Sequence, residues 1–386
     1  MINVAVYGVN SASTFLYKLI TDVYNKYIEL CGGEQLQVAC FVNFMGASSE
    51  CTSELDAVVV SCEEFSRLYK MNAVEAIMIP TINHSGFHFL GTELIKLGIR
   101  LEDIYYVPRE YFLKDSFTLP EAENMFTPYL DCGYLPYLEY HVADHCNLNC
   151  RGCEHYSPLV KEPRFTDYEK FAKDLNKLSE FITDIGVIRI LGGEPLLNNE
   201  LHKYVTLTRK LYPYSCITIV TNGILIKQMA SELIDAIKEN DIFVHISWYP
   251  PLRNSQESIL DFLDFNEIKY TKNMAFTEEF TMKQSLKGDT DKESVFLSCF
   301  QAHCNNLYDG KLGACFFPFV TKYFNDTFNQ CLPINENISL YDENLTTNKI
   351  KSFLLTPLER CKYCGESKNI KWEQASVNPT LSDWIL

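Results

Sequence analysis

The chain has 386 residues, more than one ordinary hydrophobic core needs, and the length predicts two or three domains. A content of 47% hydrophobic and 22% charged residues excludes a disordered chain, and no apolar run reaches the roughly 18 residues of a membrane span. The formal net charge of −16, with no Lys/Arg run, argues against a nucleic-acid partner, whose phosphates select a basic face.

The opening MINVAVYGVN shows no basic leader or cleavage site and reads as a strand, so a cytosolic location is expected. INVAVYG (2–8), LQVACFVNF (36–44), DAVVVS (56–61), AIMIP (76–80) and DIYYV (103–107) read as buried strands, and 85–99 as a helix. This alternation predicts an α/β domain over 1–130, a parallel sheet of Rossmann-like type. Its first turn carries only Gly8, with Asn10, Ser11 and Ser13 following, and the second strand offers Asn43 rather than an acidic residue. A dinucleotide site is therefore not expected, although small residues at a helix start can cradle a phosphate. His84 and His88, before or within the helical stretch, are expected to be structural.

Proline and turn residues around 126–140 mark a passage to a second domain, and from 138 the alternation restarts. A helix is expected over 165–186, with Phe171, Leu175, Leu178, Ile182 and Ile185 on one face and a Thr166/Glu169 capping box. Strands VIRIL (187–191), CITIV (216–220) and IFVHIS (242–247) follow, separated by helices near 199–211 and 226–237. Repeated βα units predict a full or partial barrel over 136–275, with its site at the C-terminal strand ends.

The cysteines fall into two sets. Fifteen is an odd number, and in a reducing compartment clustered thiols favour metal ligation over disulfides. Cys146, Cys150 and Cys153 follow the first barrel strand as C-x3-C-x2-C. Closed zinc or iron–sulfur sites take four ligands, so three thiols either leave a cluster iron open or form a zinc loop completed by His145 or His155.

This spacing resembles the signature of radical S-adenosylmethionine (SAM) enzymes, and two further segments fit. GGEP (Gly192, Gly193, Glu194, Pro195) ends the second strand where that family binds the SAM amino group, with Glu194 as the carboxylate for it. Thr221, Asn222 and Ser247 end the third and fourth strands where the family contacts SAM, and Tyr156 stands where it often places an aromatic near the adenine. The resemblance, over roughly 136–270, implies a partial (β/α)6-type barrel and a [4Fe-4S] cluster whose open iron SAM chelates. It also implies reductive cleavage of SAM and hydrogen abstraction from a C–H bond, with electrons from a donor such as flavodoxin or ferredoxin. His245 shares a strand face with Ser247 and is a candidate substrate contact.

The second set resembles the twitch/SPASM extensions of the same family, which hold auxiliary iron–sulfur clusters. Cys299, Cys315, Cys361 and Cys364 fit a four-cysteine twitch site in a 276–386 extension, with Cys304 as alternative to Cys299, Cys331 as a possible extra ligand, and zinc as an alternative metal. Asp309-Gly310 signals a hairpin carrying Cys315 back toward Cys299 or Cys304. Cys31, Cys40, Cys51, Cys62, Cys132 and Cys216 lie in or beside apolar runs and are expected in the core. The substrate expected is a polar small molecule, a sugar or nucleotide-linked sugar, undergoing dehydrogenation or epimerisation. The alternatives are maturation of a ribosomal peptide and a non-catalytic zinc scaffold.

Overall fold

The computed structural model describes residues 1–9, 11–43, 58–80, 90–112 and 125–386, which form two compact α/β units, Met1–Tyr134 and Leu135–Leu386. Asn10, Cys51, His84 and His88 lie outside the described residues.

In the first unit, β1 (Ile2–Tyr7), β2 (Leu36–Asn43), β3 (Val58–Ser61), β4 (Ala76–Pro80), β5 (Ile104–Val107) and β6 (Thr127–Pro128) form one sheet in the order β3-β2-β1-β4-β5-β6. All neighbours are parallel except β6 against β5. Every residue of β4 is buried, as helices on both faces of a parallel sheet require. Chain order reverses between β1 and β4, the place where such sheets open a ligand crevice. The hydroxyl of Ser13, however, is buried and donates to Tyr7 O at 3.4 Å, so it serves the β1 turn and not a phosphate.

The second unit is built on β7 (Tyr134–Ala143), β8 (Asp184–Gly192), β9 (Cys216–Thr221) and β10 (Phe243–Ile246), adjacent in chain order. β8–β9 and β9–β10 pair in parallel. Phe171, Leu175 and Leu178 from helix Tyr168–Ser179 and Leu201, Tyr204 and Val205 from helix Leu201–Leu211 pack with Ile188, Ile190, Ile217 and Ile219 into its main core. The first of these helices is shorter than its apolar period implies. Asp167, not Thr166, caps it, accepting from Lys170 N at 2.8 Å, while Thr166 Oγ1 donates to His141 O at 2.6 Å. Ile185 already belongs to β8, because strand pairing captures it ahead of the helix.

Beyond β10 the sheet continues only as a parallel bridge from Val244 to Tyr270. β11 (Glu279–Gln284) pairs with a late strand, β15 (Cys364–Lys371), in a separate antiparallel ribbon. At the other edge, β12 (Asn306–Tyr308) adds in parallel to β7, and β13 (Lys311–Gly313) and β14 (Ile338–Ser339) extend the sheet antiparallel. Segment 276–386 is thus woven into this seven-stranded sheet, and β7, flanked by β8 and β12, is buried along its whole length. The β12–β13 hairpin turns at Asp309 (φ 50) and Gly310 (φ 74), the positive pair that its Asp-Gly sequence favours.

Among the six cysteines expected in the core, Cys40 and Cys132 are buried and Cys62 and Cys216 partly so. Cys31 is exposed, since it ends a helix just before Gly32 turns the chain through φ 75. Cys331 is exposed as well. Among the described residues no helix is long and apolar enough to cross a membrane.

Candidate active site

The loop after β7 is wound by left-handed residues at Asn149 (φ 53), Gly152 (φ 70) and Tyr156 (φ 54), and it carries all three cysteines of the first set. Cys146 Sγ accepts from Leu148 N and from Asn222 Nδ2, each at 3.4 Å. Trp372, from the far end of the chain, donates Nε1–H to Cys150 Sγ at 3.2 Å. Burial pushes the Cys146 thiol up to about 11, and burial plus neighbouring thiols raises Cys150 further. Burial raises Cys153 as well. The free thiols therefore hold their protons at neutral pH, and a metal must displace them.

The end of β8 locks onto this loop through backbone alone. Gly193 N donates to Ala143 O at 2.7 Å and Glu194 N to His145 O at 3.0 Å. A Cβ on Gly192 (φ 141) would stand 2.0 Å from Ala143 O, and one on Gly193 would stand 2.1 Å from His145 O. Only glycine permits that approach. Glu194 then turns inward, fully buried. Its Oε1 accepts from Thr221 Oγ1 at 2.7 Å and Leu196 N at 3.0 Å, and its Oε2 accepts from Asn222 N at 2.8 Å. Burial pushes its carboxyl up to about 7, against the lowering effect of those hydrogen bonds.

Cys146, Cys150 and Cys153 line one cavity of about 290 Å³ together with Gly192, Gly193, Thr221, Asn222 and Ser247. A second chamber of about 450 Å³ shares Cys153, His155, Tyr249 and Phe280 with it. Four residues expected at the SAM or substrate site stand outside both linings. Glu194 and Pro195 lie behind the glycine pair, where Glu194 ties the end of β8 to the end of β9. Tyr156 is buried against Phe317 and Phe324, and its hydroxyl donates to Gln284 Oε1 while Arg360 NH2 lies 3.4 Å away. His245 Nδ1 meets Thr271 Oγ1 at 3.0 Å.

The cavity also gathers Glu139, Arg189, His155, Tyr249 and Cys304, none of which carries a motif. Their signal was nonetheless present. Glu139 places a carboxyl in a strand that is buried along its whole length, and Arg189 alternates with Leu191 along β8. His155 belongs to a chain of buried polar groups. Its Nδ1 lies 3.2 Å from His141 Nε2, and His141 Nδ1 lies 3.2 Å from Asp144 Oδ1. Burial works against the charge on Asp144, but His141 and Arg164, whose NH1 donates at 2.9 Å, hold its carboxyl well below the usual range. Burial and the neighbouring His141 push His155 down to about 3, so it stays neutral.

The second cysteine set is grouped by burial and proximity. Cys315 interacts with Cys361, Cys364 and Cys299, and Cys361 with Cys364 and Cys299. Cys315, Cys361 and Cys364 are buried in one apolar cluster, with Cys299 packed against it. Arg360 NH1 reaches Cys364 Sγ at 3.6 Å. Cys304 interacts with Cys315 too, but more strongly with Glu139, and it lines the first cavity.

Among the described residues no three His, Cys, Asp or Glu groups stand close enough to share one metal ion. A four-iron cluster spreads its thiolates over several irons, so three cysteines around a roomy cavity suit it better than a single zinc. His145, the nearby alternative zinc ligand, places Nδ1 3.1 Å from Arg164 O and packs edge-on against Phe165.

Residues 140–248 match the family model described as the radical SAM superfamily. The chain is 39% identical over 101 residues to a GTP 3′,8-cyclase of Clostridium acetobutylicum, covering 26% of this chain and 31% of that protein. It is 33% identical over 144 residues to the GTP 3′,8-cyclase of Helicobacter pylori strain HPAG1, covering 32% and 42%. The chain thus spans about a third of the length of the curated relatives it matches. Among solved structures, BtrN in complex with AdoMet and 2-DOIA aligns at 16% identity and TM-score 0.39, over 65% of this chain and 98% of that one. Native anSMEcpe with bound AdoMet and a peptide aligns at 17% identity and TM-score 0.28, over 35% and 42%. The segment similar to the radical SAM superfamily, residues 140–248, is the one in which the three cysteines and the glycine pair meet at one cavity.

Proposed function

We propose that this protein is a radical SAM enzyme acting on a polar small molecule, a sugar or nucleotide-linked sugar, by dehydrogenation or epimerisation. The observation that carries the reading is the convergence of Cys146, Cys150, Cys153, Gly192, Gly193, Thr221, Asn222 and Ser247 on one cavity at the C-terminal ends of β7 to β10. Cys146, Cys150 and Cys153 would hold a [4Fe-4S] cluster, with SAM on its open iron. Reduced, that pair supplies a 5′-deoxyadenosyl radical able to take hydrogen from a C–H bond.

The chain's own residues supply placement. Asn222 holds Cys146 through Nδ2 and Trp372 holds Cys150 through Nε1. Glu194 fixes Thr221 and Asn222 at the rim, which leaves the glycine backbone and the Ser247 strand end to meet the cofactor. Phe280, Phe300 and Tyr249 line the cavity wall with apolar surface that limits water around a reactive species.

Cys299, Cys315, Cys361 and Cys364 are our assignment for an auxiliary [4Fe-4S] cluster with no open iron, suited to electron relay. Their mutual burial and the positive charges of Arg360 and Lys283 beside them support it. The doubly wound order of the first unit supports a Rossmann-like reading of residues 1–130. A ferredoxin or flavodoxin would supply the electrons.

The test is anaerobic reconstitution followed by iron and zinc analysis, with transfer of deuterium from labelled nucleotide sugars or peptides into 5′-deoxyadenosine. Roughly eight irons per chain and deuterium arriving from a sugar are expected. Zinc in both sites, or transfer from peptides alone, contradicts the reading.

A further inference from the structure

A guanidinium is buried beside the second cysteine set with neutral and sulfur partners in place of a carboxylate. Arg360 lies in the short turn Glu359–Tyr363 that leads into β15, and it is 1% exposed. Its NH2 donates to Gln284 Oε1 at 2.6 Å and lies 3.4 Å from Tyr156 OH, while NH1 reaches Cys364 Sγ at 3.6 Å. Among the described residues its buried Nε has no hydrogen-bond partner. The ring of Phe317 lies 4.5 Å from the guanidinium carbon. Glu336 accepts from the backbone N–H of Arg360 at 2.9 Å, not from its side chain.

The β11–β15 ribbon sets this geometry, because Gln284 pairs directly with Cys364 across it. The other cation near these cysteines is already balanced. Lys283 Nζ stands 4.0 Å from Cys299 Sγ, but it also lies 3.6 Å from Glu154 Oε1. Burial raises the Cys364 thiol, and among the neighbouring charges Arg360, ahead of Lys283, favours its thiolate.

A guanidinium stays charged in a protein, and burying that charge unpaired is costly. Thiolates holding a metal cluster would supply the missing negative charge. Each electron added to such a cluster strengthens the attraction, so a fixed cation beside a ligating sulfur favours the reduced state. We propose that Arg360 raises the reduction potential of the auxiliary cluster held by Cys299, Cys315, Cys361 and Cys364. The inference rests on the reading of that set as an iron–sulfur site. Reduction adds one electron, delivered by the ferredoxin or flavodoxin, and moves no atom; Arg360 keeps its proton throughout. Arg360 acts through Cys364 and is a positioning residue, not a catalytic one.

The test is an anaerobic redox titration followed by electron paramagnetic resonance. It uses full-length reconstituted protein with Cys146, Cys150 and Cys153 changed to Ala, so that only the auxiliary cluster reports. Arg360→Gln should lower the equilibrium constant for reduction about tenfold or more, a midpoint lower by about 59 mV, at unchanged iron content. Arg360→Lys keeps the charge and should recover most of that loss. Gln284→Glu keeps size and sets a carboxylate against the guanidinium, so it should shift the midpoint downward too. That variant decides the matter if Arg360→Gln fails to fold or to load iron. An unchanged midpoint in Arg360→Gln or in Gln284→Glu overturns the inference, as do equal falls in Arg360→Gln and Arg360→Lys. Zinc, or no metal, in the parent protein would refute the auxiliary-cluster reading and the inference with it. Iron present with an unmoved midpoint would refute the inference alone.

Discussion

Trp372 Nε1 lies 3.2 Å from Cys150 Sγ, a bond that ties the last segment of the chain to a cysteine 222 residues earlier. The same indole stacks on Tyr249, a cavity-lining ring, at 6.1 Å and 24°. A hydrogen bond to a thiolate stabilises the more reduced state, in which the sulfur carries more negative charge. Trp372→Phe keeps the ring and removes the donor. It should lower the midpoint potential of the first cluster by on the order of 1 kcal/mol, or about 40 mV for one electron. Titration followed by electron paramagnetic resonance reads that shift, and an unchanged potential would show that the contact carries no electronic weight.

The glycine pair gives a steric prediction. Gly193→Ala forces a Cβ into His145 O, and backbone on both sides cannot yield as a flexible side chain would. The substitution should cost about 3 kcal/mol and displace the loop that holds Cys146. Iron analysis should then show about half the metal gone, with the far-ultraviolet dichroism retained. Full iron in Gly193→Ala would mean that the loop does not depend on this contact.

The two cysteine sets should separate by substitution. Changing Cys146, Cys150 and Cys153 to Ala should remove about half of the iron, and Cys299→Ala should remove the other half. Cys304→Ala should leave the iron intact, because Cys304 lines the first cavity and lies outside the apolar cluster that holds the second set. Iron loss on changing Cys304 would reverse the assignment.

Glu194 makes the stability of the metal-free protein depend on pH. Its carboxyl is raised to about 7 in the fold by burial, against about 4.3 in an unfolded chain. The folded state therefore holds the proton more tightly. The associated stability is complete below about pH 4.3 and is lost as pH rises through about 7. Relative to Glu194→Gln, which cannot ionise, the wild type should lose roughly 3 kcal/mol between pH 4.5 and 7.5. Denaturant unfolding at several pH values measures it, and a constant difference between the two proteins would contradict it.

What the sequence made legible was whatever chemistry forces into short spacings. The C-x3-C-x2-C loop, the GGEP strand end and the Asp309-Gly310 turn each pack their meaning into a few adjacent residues, and each lies on the structural element expected. Long-range pairing was not legible. Nothing local says that β12 adds to β7, or that β11 pairs with β15 in a separate ribbon, because such choices rest on packing between distant segments. Roles that depend on side-chain direction were also hidden. Glu194 and Tyr156 share a loop or strand end with cavity residues yet point into the interior, where Thr221 and Gln284 take up their oxygens. Arg189 and Glu139 carried a signal only in their alternation along strands, which becomes meaningful once the open face of the sheet is known.

The most direct test of the central claim is product analysis of the reconstituted protein incubated anaerobically with SAM and dithionite. The account predicts 5′-deoxyadenosine and methionine in equal amounts, formed by the wild type and absent from a variant with Cys146, Cys150 and Cys153 changed to Ala. SAM left intact by a fully iron-loaded wild type, or equal cleavage by that variant, would contradict it.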